Sequence, residues 1–372
     1  MSRVSLASLA GALWLRLVWD GCTVAAVEVA STRPRAAQLL MGKPVGMALA
    51  LLPLLYSVCG RAQSLAGHAA VAAAQGRGAA TRRSENLAVA IEATQEHLWR
   101  LLLDWPKLLG LTPLESEFSA WYRRFSGIGA AADCAEEFVG FVEFVEGALL
   151  GMPLAAWFAL EAPEEFIRND ALAGRLWRAL PAETMAVTDA LGWLPVCSAA
   201  DHVQAAEAGW HEDFERRPEW RGQAAETGAL ARWKDHPLVA ATLACHGRGV
   251  RARLLARLMD LAQCTRYITN QDDAFGDCFD AYSPMPGIGI ARVETARGTL
   301  LHRVRLEGET VAEYAVVAPT EWNFQPRGAF VAALRGTAAA DAGALREHGL
   351  RLALALDPCV PYELEVLGVD HA

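Results

Sequence analysis

The alternation of hydrophobic and polar residues predicts a β-hairpin at the start of the chain, followed by helices. Residues 11–29 contain two alternating runs on either side of Asp20 and Gly21, a dipeptide typical of hairpin turns. Residues 36–75 are rich in Ala and Leu and predict helices that are interrupted once, at a Gly-Pro break. In residues 85–103 the apolar residues recur at helical spacing, which predicts an amphipathic helix.

Helical spacing continues through the middle of the chain. Residues 198–225 differ, because charged residues and two tryptophans follow no clear period there, and we expect a loop-rich excursion. Arg251, Arg253 and Arg257 are expected to form a solvated face of the last helix of this region. The helical stretches are residues 115–150, 163–192 and 238–264.

The end of the chain changes character. Residues 288–317 alternate in short runs and predict a β-hairpin or small sheet. A helix near residues 339–348 and a strand at residues 350–356 are expected to follow. Because no internal repeat or low-complexity linker divides the sequence, we expect an α-rich α+β protein with one domain over residues 1–372.

Composition narrows the class of protein. Of 372 residues, 53% are hydrophobic and 21% are charged, which supports a packed core and excludes a disordered or fibrous chain. The net charge of −9 disfavours a nucleic-acid-binding protein, which should carry a basic surface. Eight cysteines without paired spacing indicate a reducing compartment, so a cytoplasmic protein is expected. The apolar runs at residues 4–19 and 47–58 lack the features of a signal peptide or membrane span.

Two cysteines stand out by their neighbours. Gly60 follows Cys59, and Asp357 and Pro358 precede Cys359, so that both cysteines lie where the backbone takes a special shape. Taken singly, each cysteine is more often a small buried hydrophobic residue than a metal ligand.

Four segments in order resemble the large subunits of nickel–iron hydrogenases. Residues 318–328 read A-P-T-E-W-N-F-Q-P-R-G and resemble their P-T-x-W-N-x-x-P-R stretch, and residues 293–298, V-E-T-A-R-G, resemble their V-E-A-P-R-G segment. The surroundings of Cys59 and Cys359 resemble the beginnings of their two metal-binding motifs. The resemblance implies a large-subunit-like fold, a helical bundle with small β-sheet regions, that brings the two cysteines together.

The departures from the hydrogenase pattern concern the metal site itself. The second cysteine of each motif is replaced, by Ala62 in the first and by Tyr362 in the last, and Glu365 stands where the last motif closes with His or Arg. The expected acidic residue for proton transfer is missing from residues 36–40. Without four thiolates the sulfur site for nickel cannot form. We therefore expect no nickel, no hydrogen turnover and no enzymatic activity.

A large-subunit relative that keeps one cysteine in each motif resembles the hydrogenase maturation proteins of the HupK/HoxV type. This resemblance implies a scaffold that holds an Fe(CN)2(CO) group as cargo through Cys59 and Cys359, since low-spin iron with such ligands favours thiolates. Arg327 would donate to a cyanide nitrogen, Pro326 would form an apolar wall, and Asp357 completes the expected contacts. The implied partners are maturation chaperones and an apo-hydrogenase large subunit.

Two other interpretations of the sequence remain open. One is a divergent hydrogenase-like oxidoreductase with a mononuclear iron site. The other is a metal-free interaction protein that mimics the large subunit and binds chaperones.

Overall fold

The computed structural model describes residues 11–56, 58–78, 83–127, 138, 140–181, 191–206, 214–271 and 278–369. The strands are β1 Leu13–Trp19, β2 Val24–Ser31, β3 Gly192–Trp193, β4 Ala225–Glu226, β5 Phe279–Met285, β6 Ile288–Thr295, β7 Gly298–Glu307, β8 Thr310–Val317 and β9 Tyr362–Gly368. The α-helices before residue 200 are α1 Val45–Leu55, α2 Gly60–Ala74, α3 Arg83–Trp99, α4 Trp105–Leu108, α5 Glu115–Gly127, α6 Phe141–Phe144, α7 Leu154–Phe158, α8 Leu172–Ala179 and α9 Ala199–Ala205. The later α-helices are α10 Ala229–Trp233, α11 Pro237–His246, α12 Val250–Ile268, α13 Pro319–Asn323, α14 Ala329–Leu334 and α15 Ala342–Leu356. Short 3-10 helices cover Ala36–Leu40 and Pro163–Glu165, and π-helical turns cover Arg100–Asp104 and Val145–Leu150.

The N-terminal hairpin forms as predicted and gains a third strand from the C-terminus. The Asp20 carboxylate accepts hydrogen bonds from the amides of Cys22 and Thr23, and Gly21 has a positive φ of 98°, so the tight turn suits these residue types. Strand β1 pairs antiparallel with β2 and parallel with β9, in the order β2-β1-β9. The alternating leucines of β1 lie on its buried face.

A four-stranded antiparallel sheet, in the order β5-β6-β7-β8, supports helix α2. Helix and sheet approach so closely at Gly289 that a Cβ atom there would lie 1.8 Å from the carbonyl oxygen of Ala70. Only glycine fits this position without moving the backbone. The contact fixes α2, and with it the residue that precedes the helix, Cys59.

Helix α12 lies in the centre of the larger hydrophobic core and packs against α3, α10, α11 and α15. The predicted helix at residues 238–264 is instead two helices, α11 and α12, because the chain turns at Gly247 with a φ of 62°. Within the described residues, none of the helices has the length and apolar character needed to cross a membrane.

The predicted strand at residues 350–356 is wrong, since helix α15 continues to Leu356 and the last strand is β9. Residues 352–356 are all buried, so their burial shows no helical period, and the Leu-Ala alternation looked like a strand. Ala and Leu are also strong helix formers, which agrees with the observed helix.

The predicted solvated face of arginines on α12 is also wrong. Arg253 is buried and donates two hydrogen bonds of 2.8 Å to the Glu226 carboxylate. Arg257 is buried beside Asp357, with Nη1 3.2 Å from Oδ2. Arg251 donates to backbone carbonyl groups, including that of Leu180 at 2.7 Å. The acceptors come from distant segments, so the sequence around the arginines gave no sign of them.

Candidate functional site

The structure brings Cys59 and Cys359 together. Cys59 immediately precedes α2, and Cys359 lies in the turn between α15 and β9; both are half-buried. Burial raises the pKa of the Cys59 thiol to about 12, and the negative charges of Cys359 and Glu92 add to the increase. Val58, the residue before Cys59, lines the same cleft as Cys359, so the fold brings the first predicted motif close to the last.

Each sulfur atom accepts a hydrogen bond from one side chain. Gln63, one turn into α2, lies with Nε2 3.4 Å from the Cys59 sulfur, and the Thr320 hydroxyl lies 3.1 Å from the Cys359 sulfur. The Gln63 amide is held in turn by buried His302, whose Nε2 donates to Oε1 at 2.8 Å. The contact with His302 therefore orients Gln63 toward the Cys59 sulfur.

Arg297 is the buried guanidinium group next to both cysteines. It lies in the turn between β6 and β7, and its Nη2 donates to the Glu96 carboxylate at 2.6 Å. Its Nε lies 3.4 Å from Asp357 Oδ1 but is too poorly aligned to form a hydrogen bond. Burial opposes the charge, but Asp357, Glu96 and the two cysteines together raise the pKa of Arg297, so it stays protonated.

Asp357 holds three arginines near the site and makes no hydrogen bond to either sulfur among the described contacts. Its buried carboxylate accepts a 2.8 Å hydrogen bond from Arg100 and lies beside Arg257 and Arg297. Burial opposes ionisation, but the three guanidinium groups hold the pKa of Asp357 well below its usual range. The residue has a left-handed φ of 54° and ends α15, so it also shapes the turn that presents Cys359.

Glutamates on α3 contact the site from one face of the helix. Glu92 accepts hydrogen bonds from the amides of Arg61 and Ala62, at 2.8 Å and 3.0 Å, where α2 begins. Glu96, one turn later, holds Arg297. Glu92 thus fixes the turn that contains Cys59, and burial raises its pKa.

Two cavities open beside the cysteines. Cys359 lines a cleft of about 700 Å³ together with Val58, Arg297 and Tyr362. Thr320, which bonds the same sulfur, lines a smaller cavity of about 230 Å³. Cys359 itself therefore borders the larger cleft, and its hydrogen-bond partner Thr320 borders the smaller cavity.

The structure does not bring Arg327 to the cysteines, and the expected role of this residue needs correction. Its side chain is 63% exposed and forms an ion pair with Glu219 at the surface. Pro326 is exposed at the rim of the smaller cavity. Arg297 instead acts electrostatically on both cysteines, and Arg33 acts on Cys359. Burial opposes the charge of Arg33, but Cys359 and Glu321 raise its pKa.

Two residues of the site, Arg297 and Thr320, were not predicted from the sequence although they lie in segments that resemble the hydrogenases. Arg297 belongs to the V-E-T-A-R-G segment, and Thr320 belongs to the P-T-x-W-N stretch. Both segments carry the resemblance, but it assigns the guanidinium role to Arg327 and not to Arg297. Gln63, Glu92 and Arg33 lie outside the recognised motifs, and their roles depend on contacts between distant segments.

Ala62 and Tyr362, which stand at the positions of the second cysteines of the hydrogenase motifs, provide no thiol. Ala62 is fully buried, and Tyr362 pairs with Leu13 of β1 at the start of β9. Across the described part of the chain, no group of three or more His, Cys, Asp or Glu side chains is arranged to hold a metal ion.

The fold of this chain is similar to that of known hydrogenases. A family model described as nickel-dependent hydrogenase matches residues 239–361. The Ni-Fe-Se hydrogenase from D. vulgaris Hildenborough superposes with a TM-score of 0.61 at 16% identity, over 92% of this chain and 94% of that chain. At this identity the likeness concerns the fold alone, and it confirms the predicted hydrogenase large-subunit-like fold.

Sequence relatives cover nearly the whole chain. The hydrogenase expression/formation protein HoxV of Cupriavidus necator is 33% identical, over 91% of this chain and 92% of its own length. HupK of Bradyrhizobium diazoefficiens is 31% identical over 95% and 97%, and HupV of Azotobacter chroococcum is 30% identical over 96% and 99%. With this identity over almost all of its length, the chain belongs to the HoxV/HupK family of hydrogenase expression/formation proteins.

Proposed function

We propose that this chain acts in hydrogenase maturation as a non-catalytic scaffold, which holds an Fe(CN)2(CO) group and passes it to an apo-hydrogenase large subunit. The relatives are named hydrogenase expression/formation proteins, which supports the maturation role. The observation that carries the cargo assignment is a single cleft, lined by Cys359, by buried Arg297 and by Val58, the residue before Cys59.

The pair of thiols suits iron that already carries its other ligands. A bare divalent ion in a protein usually takes four or more donors, whereas iron with two cyanides and one carbon monoxide needs only a few more. Thiolates are the soft donors that such iron prefers. Two protein ligands also leave the iron unsaturated, which favours later transfer.

The surrounding charges suit a cargo of negative net charge. Iron(II) with two cyanides and two thiolates is an anion. The positive charges of Arg297, in the larger cleft, and of Arg33, in the smaller cavity, both act on Cys359. Arg297 is also a donor for a cyanide nitrogen, because its planar group has more N–H bonds than its two acidic neighbours occupy. Thr320 and Gln63 stabilise the thiolates by hydrogen bonds.

Infrared spectroscopy on the protein co-produced with the maturation machinery tests the cargo assignment. Cyanide and carbonyl stretching bands are expected in the parent protein and should be lost in Cys59→Ala and in Cys359→Ala. Cys245→Ala is the matched control, since this exposed cysteine lies outside the site and its removal should leave the bands unchanged. Bands that survive both single changes at the site would contradict the assignment.

The same preparation separates the two alternatives. A folded protein without any cyanide or carbonyl bands would favour a metal-free partner of the chaperones. Hydrogen uptake by the loaded protein would favour an oxidoreductase. Affinity purification of the loaded protein should recover a maturation chaperone and the apo-large subunit, and their absence would contradict the transfer step.

A further inference from the structure

The smaller cavity beside Thr320 concentrates arginines in an acidic protein. The chain carries a net charge of −9, yet this cavity of about 230 Å³ is lined by four arginines and two glutamates. Its charged lining residues are Arg33, Arg35, Arg216, Arg217, Glu215 and Glu321. The cavity lining therefore has a positive net charge, opposite in sign to the net charge of the chain.

In the wall of the cavity, both carboxylate oxygens of Glu321 already have hydrogen-bond partners. Arg33 is largely buried, and its Nη1 lies 2.7 Å from Glu321 Oε1. The other oxygen of Glu321 accepts a hydrogen bond of 3.1 Å from the amide of Ala318. Glu321 is therefore occupied on both oxygens.

Two arginines at the mouth have no acidic partner among the described residues. Arg216 and Arg217 are both exposed, and neither forms an ion pair or a side-chain hydrogen bond with any residue that the structure describes. Adjacent guanidinium groups repel each other unless an anion lies between or beside them. This pair therefore supplies guanidinium donors, without an acidic partner among the described residues, to the cavity that Arg33 also lines.

We propose that this cavity is an oxyanion-binding site, which takes a carboxylate or phosphate group. The guanidinium group matches both anions by paired N–H bonds, and the apolar walls formed by Leu13, Val29 and Phe324 strengthen these bonds by excluding water. The volume admits a small free anion or one acidic side chain of a partner, and it is below that of sites for drug-sized ligands.

Binding of an anion here does not require the iron group, so the site is tested on the cargo-free protein. Isothermal titration calorimetry at constant ionic strength would use three probes: inorganic phosphate, citrate and an acetylated tetraglutamate peptide. We expect saturable binding of one ligand per chain, and the probe that binds best identifies a free anion or a peptide carboxylate as the source.

Variants assign the binding to the cavity. The double change Arg216→Ala with Arg217→Ala should weaken binding at least about tenfold, since it removes charged hydrogen-bond donors. The matched control is Arg335→Ala with Arg346→Ala, which removes the same charge from exposed arginines outside the cavity. Equal weakening in both double variants, or the absence of saturable binding by all three probes, would overturn the proposal. Neither result would affect the infrared test of the cargo.

Discussion

At the scale of single residues, the site is defined by donors that surround two sulfur atoms. Arg297 lines the larger cleft and Arg33 the smaller cavity, and both act electrostatically on Cys359. Thr320 binds that sulfur directly. Gln63 and Arg297 favour a thiolate at Cys59, but burial outweighs them and raises the pKa of that thiol.

Replacing Arg297 by Lys should alter the bound group, whereas the same change at Arg327 should not. Lysine keeps the charge but loses the planar set of donors, so Arg297→Lys should shift the cyanide bands or lower their intensity. Arg327 is exposed and pairs with Glu219, which makes Arg327→Lys the matched control. Infrared spectra of the two loaded variants check this, and a shift only in Arg327→Lys would reverse the assignment.

Burial of neutral His302 should make the protein less stable in acid, because the imidazole is protonated more easily in the unfolded chain. Burial lowers the pKa of its imidazole from the ordinary 6.5 to about 3, so between these values the unfolded chain binds a proton that the folded chain does not. This contribution to stability is fully present above pH 6.5 and is lost as the pH falls toward 3. Urea unfolding at several pH values should show a smaller loss for His302→Gln than for the parent. The exposed residue His68, changed to Gln, serves as the control.

At the scale of elements, the position of α2 on strand β6 determines where Cys59 lies. The helix begins directly after Cys59, and Glu92 of α3 holds its first amides. The close approach at Gly289 sets the distance between helix and sheet. An error in this packing would therefore displace Gln63 and Cys59 together.

Gly289→Ala should strongly destabilise the fold. Its new Cβ would meet the Ala70 carbonyl oxygen at 1.8 Å, a contact that only a backbone shift can relieve. The expected loss in the free energy of unfolding is about 3 kcal/mol, at the upper end for overpacking. Gly46→Ala is the control, since nothing lies within 4 Å of its added Cβ in α1, and it should be neutral or slightly stabilising. Equal unfolding midpoints for the two variants would contradict this account.

At the scale of the whole molecule, Asp357 connects segments that lie far apart in the chain. Arg100 follows α3, Arg257 belongs to α12, and Arg297 joins β6 to β7; all three approach this one carboxylate. Three guanidinium groups around one buried anion form a tightly balanced network. Its loss would leave buried positive charge without a partner.

Asp357→Asn should therefore cost about 3–5 kcal/mol in the free energy of unfolding, the range for breaking a buried ion pair. Asparagine has the same shape and tolerates a left-handed backbone, so the change tests the charge and not the turn. Asp170→Asn is the control, because that carboxylate is fully exposed and its ion pair with Arg178 should contribute little. Denaturant unfolding of both variants would measure the difference, and a loss below that of the control would contradict the network.

Local patterns were sufficient for much of the architecture. The hairpin around Asp20, the helices after it and the sheet at residues 288–317 follow from periodicity and turn residues, which act between neighbours in the chain. Periodicity failed at residues 350–356, where burial on every side removed the contrast between two faces of the helix. That the chain is a single domain stays a prediction.

The sequence by itself determined the type of most main elements, the large-subunit-like fold and the two cysteines that remain from the metal motifs. Only the tertiary structure decided which polar side chains surround them. Arg297, Thr320 and Glu92 reach the cysteines through contacts between segments that are distant in sequence, and Arg327, although it belongs to a recognised motif, turns toward Glu219. The physical reason is that periodicity records whether a position is buried, whereas the partner of a buried charge depends on how whole elements pack.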